Sequence, residues 1–216
     1  MFRNLVFRIL TLSWAFIQCT DEKADLTGPD RVDPETENTE TGTPARKFAN
    51  VILLAPSQDN NSKSFYATSN GEIYTSNEVA ASAQIPATVD FGYFWGSVGE
   101  AQLASPDLFR SVQGFDFRIE SWATVNNGIF STTNLQFDDF ELLQTWEDID
   151  SVFNNSATLF ASSVLREIQI NQVLVFVSDA NKIGGSKRGL IAIRDVVPGL
   201  YPTGRIEFDV LVQEIP

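Results

Sequence analysis

The chain has 216 residues, 43% of them hydrophobic and 12% aromatic, and a net charge of −13 without a single histidine. Its length suits one domain with additional segments, and its apolar content is enough to bury a core. The charge excludes nucleic acid and acidic lipid head groups as partners, since Lys and Arg hold both, and the lack of His removes the commonest general base and every Ser-His-Asp or Cys-His arrangement.

Residues 1–18 read as a signal peptide, with Arg3 and Arg8 flanking the start and the apolar run Ile9–Ile17 behind them. That run is too short to span a bilayer, which takes about 20 apolar residues. The lone Cys19 follows directly, where its position points to processing rather than packing.

With Phe16 and Ile17 before Cys19 and Thr20-Asp21-Glu22-Lys23-Ala24-Asp25 after it, the segment resembles a bacterial lipoprotein signal of the Bacteroidota type. The resemblance implies cleavage before Cys19, acylation there, and display on the outer membrane at the cell surface. Gln18 departs from the small residue that such signals carry before the Cys. The alternative is an ordinary signal peptide and a periplasmic or secreted product. Several acyl chains on one Cys suffice for stable anchoring, so the membrane contact rests on Cys19 alone.

Residues 19–46 are mostly Asp, Glu, Thr, Pro and Gly, a composition that buries nothing and predicts an acidic disordered tether. The apolar run ANVILLAP then opens a single folded domain over 47–216. Asn70-Gly71 predicts a tight hairpin turn between Ser64–Thr68 and Glu72–Thr75. Thr75 with Glu78 forms a capping box ahead of a short helix, and Thr88–Trp95 reads as a strand. Ser105-Pro106-Asp107 starts another short helix.

The flanks of Asn126-Asn127-Gly128 do not alternate, and that segment stays open between a hairpin turn and a loop. A second capping box, Thr145 with Asp148, places one or two helices within 136–154. Gln172–Ser178, Gly189–Val196 and Arg205–Val212 are strands of a three-stranded antiparallel meander.

The fold class expected is α+β, predominantly antiparallel β with two to four short helices and that C-terminal meander; the alternative is a β-sandwich or a partly open barrel. The stretches SFYATSNGEIYTSNEVAASA, VDFGYFWG and RIEFDVLVQ resemble an uncharacterised domain of Bacteroidota lipoproteins. That resemblance implies no catalytic assignment.

Chemistry-bearing residues are sparse. Asp138, Asp139 and Glu141 could hold a metal through carboxylate oxygens, although no D-x-D-x-D-G loop surrounds them. With Glu147, Asp148 and Asp150 they also form the densest carboxylate group, which admits a carboxylate-dependent polysaccharide hydrolase. Tyr93, Trp95 and Trp122 could form an aromatic platform for sugar rings, yet alternation puts Phe91, Tyr93 and Trp95 on one strand face, most simply the buried one.

Gly184-Gly185-Ser186-Lys187-Arg188 lacks phosphate-loop spacing and reads as a hairpin turn. No cofactor is expected. The function expected is a lipid-anchored envelope module that binds glycan or protein without catalysis, against the hydrolase or a structural subunit of a surface or adhesion assembly.

Overall fold

Several strands of this chain carry apolar residues on both faces, as in Val173-Leu174-Val175-Phe176 and Leu190-Ile191-Ala192-Ile193, all of them buried. A sheet built from such strands has to be covered twice. A computed structural model describes residues 42–98, 100–112, 115–156, 162–182 and 185–213 and shows how this is done. The expected signal peptide, Cys19 and the tether as far as residue 41 lie outside the described residues, as does Gly184.

The strands are β1 (Arg46–Leu54), β2 (Lys63–Ala67), β3 (Glu72–Thr75), β4 (Phe91–Gly96), β5 (Glu100–Ala104), β6 (Ile129–Thr132), β7 (Val164–Leu165), β8 (Val173–Val177), β9 (Arg188–Val197) and β10 (Arg205–Val212). The α-helices are α1 (Ser76–Ala81), α2 (Phe137–Phe140) and α3 (Trp146–Asn155). One antiparallel sheet runs β1-β10-β9-β8-β6 and the other β3-β2-β4-β5-β7. The C-terminal strands thus lie inside a five-stranded sheet, extended by β1 beside β10 and by β6 beside β8.

Period-two alternation sorts the side chains into three cores. Tyr66, Phe91, Leu174, Phe176, Ile191, Ile193 and Phe208 fill the space between the sheets. Val173, Val175, Leu190, Ala192 and Leu211 face outward and pack under Phe140, Ile149 and Phe153 of α2 and α3. On the other sheet Phe65 and Phe94 face outward beneath Val79 of α1 and the turns carrying Phe109, Phe117 and Trp122. Antiparallel β predominates with few helices, and of the alternatives weighed from the sequence the sandwich fits, since neither sheet closes into a barrel.

Both capping boxes form. Thr75 Oγ1 accepts from the Glu78 N–H while Glu78 accepts from the Thr75 N–H, and Thr145 and Asp148 do the same at α3. The turn between β2 and β3 is a four-residue loop over 68–71, with Ala67 paired to Glu72. Gly71 takes φ +77 there, and a Cβ on it would lie 2.3 Å from the Phe48 ring. Residues assigned by composition to the tether are hydrogen-bonded to the start of α3: Trp146 N–H donates to Thr43 O at 2.8 Å and Ala45 N–H to Gln144 O at 2.8 Å.

Asn126-Asn127-Gly128 is no hairpin turn. Asn126 is buried, and its Nδ2 donates to Val89 O at 2.7 Å and to Ala87 O at 3.2 Å, tying the segment before β6 to the turn before β4.

A buried ion pair lies beside that tie. Lys182, from the connection between β8 and β9, meets Asp90 Oδ1 and donates to Thr88 O at 2.9 Å, and both charged side chains are 1% exposed. Asp90 Oδ2 accepts from the Thr68 N–H and from Thr68 Oγ1, each at 2.7 Å. Burial lowers the Lys182 pKa from its ordinary value, and Asp90 opposes that shift.

Removing one partner of such a pair strands the other charge without solvent or counterion, at about 3–5 kcal/mol. Lys182→Ala is therefore expected to lower unfolding free energy by about that amount in urea titration. The pair Asp90→Asn with Lys182→Met should recover part of the loss, because no unpaired charge remains buried.

Candidate functional site

Asp138 and Asp139 are exposed in the first turn of α2. Glu141, at the end of that helix, is committed elsewhere: it pairs with Lys47 at 2.7 Å and with Arg194 at 2.9 Å. Asp148 serves its capping box, Glu147 accepts from the Thr43 N–H at 3.0 Å, and Asp150 accepts from Arg188 at 2.8 Å. Among the described residues no three of Cys, Asp and Glu converge to hold a metal ion.

Arg194 carries the network inward. It donates to Asp209, a β10 residue with no exposed surface, whose Oδ1 also accepts from the Asn50 N–H at 2.8 Å. Burial is the largest influence on the Asp209 pKa and raises it. The Arg194 and Asn50 hydrogen bonds, with Lys47 nearby, outweigh burial and hold the carboxyl below its ordinary value of 3.8.

The three aromatic candidates part company. Tyr93 is fully buried between the sheets, its hydroxyl has no hydrogen-bond partner, and burial pushes its pKa well above the phenol range. Trp122 is buried against Phe65, ring centroids 5.0 Å apart, and its Nε1 is likewise unpartnered. Trp95 alone of the three is half-buried. It continues the inner-face row of Phe91 and Tyr93 and packs, partly buried, against the edge of the inter-sheet core where β4 reaches its hairpin.

At that place lies a groove of about 870 Å³, within the usual size of ligand sites. Its walls include Trp95, Gln102, Phe115, Arg166, Glu167 and Leu200. Val98 and Leu200 stand on the rim, 90% and 56% exposed.

Strand register assembles the polar wall. Leu103 pairs with Leu165 and Ala104 with Val164, so the next position in the same register sets Gln102 opposite Arg166. Gln102 is buried, and its Oε1 accepts from Arg166 Nε at 3.3 Å. Phe94 lies across from Gln102 and Trp95 across from Ala101, which puts Phe94, Gln102 and Arg166 on the outer sheet face and Trp95 on the inner one. Both rows line the groove. Glu167 adopts φ +56, a left-handed conformation uncommon for a residue with a side chain.

Arg166, Gln102 and Glu167 were not singled out in the sequence. Gln102 lies 64 residues from the adjacent Arg166 and Glu167, the three match no motif, and only the pairing of β5 with β7 brings them together.

Neither a family model nor a curated protein sequence matches the chain. Among solved structures the fold is similar to that of a DUF4466 family protein from Parabacteroides merdae ATCC 43184, with a TM-score of 0.54 and 12% sequence identity over 79% of this chain and 54% of that one. The chain thus spans about half the length of that protein, and the likeness is one of fold. It agrees with the resemblance to an uncharacterised Bacteroidota domain.

Two measurements test these placements. Trp122→Ala should cost about 3–5 kcal/mol of stability in urea titration, as for other large aromatics cut from a core, while Trp95→Ala should cost less and lower the share of emission open to acrylamide quenching. The stability that Asp209 contributes is present above its unfolded pKa and lost as pH falls through the lower folded value. Wild-type unfolding free energy should therefore drop between about pH 5 and about pH 2, and Asp209→Asn should flatten that drop.

Proposed function

We propose that the protein is exported, anchored at the cell surface by acyl chains on Cys19, and binds an oligosaccharide without cleaving it in the groove beside Trp95. The observation that carries the binding half is Trp95 itself: a half-buried ring beside a groove whose polar wall consists of Gln102, Arg166 and Glu167. Flat rings take the apolar face of a pyranose, while amide, guanidinium and carboxylate groups take its hydroxyls.

Support for binding over hydrolysis comes from the carboxylate count. Glycoside cleavage uses two acids on either side of the scissile bond, about 5–10 Å apart. Glu167 is the one acid among the described residues lining this groove, and elsewhere Glu141 and Asp150 sit in ion pairs, Asp148 in its capping box and Glu147 on the Thr43 N–H. The anchoring half is supported by the apolar run before Cys19 and the acidic residues after it. Among the described residues no helix is long and apolar enough to cross a membrane.

Intact mass of the protein from native membranes should show cleavage before Cys19 with added acyl chains, and Cys19→Ala should abolish both. An unacylated wild-type product would sink the anchor. For the groove, titration of tryptophan emission with a panel of neutral and acidic oligosaccharides should yield at least one ligand. Trp95→Ala should weaken it about tenfold or more, the scale of losing a central aromatic contact; unchanged affinity would move the site elsewhere.

A further inference from the structure

We infer that the oligosaccharide taken by the Trp95 groove carries carboxylates, as a uronic-acid oligomer does, and that Arg166 reads one of them; this rests on the saccharide reading above. The chain has 28 acidic residues against 15 basic ones, so a basic side chain readily finds a carboxylate to neutralise it. Arg110, Arg188, Arg194 and Arg205 each do so, while Arg118 donates to the Asn77 amide instead. Arg166 forms no ion pair with any described residue, including Glu167 next to it.

What Arg166 has instead is an orienting contact. The buried Gln102 amide oxygen engages Nε, which leaves the paired Nη groups as a planar fork with four N–H donors. That fork matches a carboxylate with two parallel hydrogen bonds, a geometry an ammonium does not offer. Nothing comparable recommends a neutral ligand, for which an amide alone would serve.

Glu167 belongs to the same wall, and its left-handed backbone marks a position where the chain departs from ordinary strand geometry beside the groove. Its carboxylate accepts from hydroxyls and repels a second anion close by. A ligand with charged and uncharged edges suits that wall better than a uniformly anionic one. The general negative field of the protein opposes any anion, but salt screens it beyond about 8–10 Å, and at hydrogen-bond range the Arg166 charge dominates.

Trp95 and Arg166 stand on opposite faces of the β4-β5-β7 sheet, and both line the groove. A ligand that engages both therefore follows the groove from one face to the other.

The test uses full-length protein in detergent with tetragalacturonate, tetramannuronate and a hyaluronan tetrasaccharide, each beside its carboxyl-reduced counterpart, and a sulfated oligosaccharide. At least one acid form should bind tenfold or more tightly than its reduced form. Arg166→Gln should collapse that ratio toward one, Arg166→Lys should restore only part of it, and Trp95→Ala should weaken the acid form. Equal binding of acid and reduced forms, still lost in Trp95→Ala, overturns the carboxylate inference while the saccharide reading stands. Binding that follows sulfate overturns it also. Failure of every sugar, charged or reduced, overturns both.

Discussion

Phe91 joins the two sheets. Its ring centroid lies 5.3 Å from Tyr66 on its own sheet and 5.9, 5.8 and 5.9 Å from Phe130, Phe176 and Phe208 on the other. Such ring pairs contribute about 0.5–1.5 kcal/mol each beyond their buried area, and they prefer the tilted and edge-on contacts seen here. Because strand side chains alternate, the carboxylate of Asp90 next to Phe91 cannot share that space. It is nonetheless buried, and a buried carboxylate needs both donors and a counter-charge. Thr68 supplies the donors and Lys182 the charge. The connection between β8 and β9 is therefore held where it is by a requirement that begins with Phe91.

The same logic recurs on the second sheet. Phe208 and Val210 face inward, so Asp209 between them faces outward. There the Asn50 N–H and Arg194 hold it, and Arg194 bridges it to Glu141. Covering both outer faces also asks for room. Gly92 gives it on the other sheet: a Cβ there would come within 2.7 Å of Phe109 and 2.8 Å of Phe65, the two rings that start the outer aromatic layer.

What the sequence disclosed depended on the range of the interaction. A capping box spans three residues, so Thr75 with Glu78 and Thr145 with Asp148 were legible locally. The β-branched runs of β8, β9 and β10 were legible for a similar reason, since burial on both faces demands them. β5 reads Glu-Ala-Gln-Leu-Ala and owes its strand to partners β4 and β7; nothing in those five residues favours a strand. Alternation correctly set Tyr93 and Trp95 on one face, but it carries no information on where the opposing sheet stops covering that face. Asn126 looked like a turn residue because its side chain's partners, the carbonyls at 86, 87 and 89, are set by tertiary structure.

The groove follows from where that cover stops. The row Phe91, Tyr93, Trp95 begins at the inter-sheet hub and ends at the groove, so the half-buried ring of Trp95 rests on the packed core. The polar wall has a different kind of support. β7 offers two residues of pairing to β5, and a ladder that short fixes register weakly by itself. A one-residue slip would send Arg166 to the opposite face. The bond from Arg166 Nε to Gln102 Oε1 extends the same register by one position through side chains, and the Ile168 N–H bond to Ala101 O, at 3.1 Å, ties down the far side of the bend at Glu167. Arg166 is thus clamped between two cross-strand contacts at the edge of the sandwich, which is the arrangement that lets an exposed guanidinium hold a fixed plane.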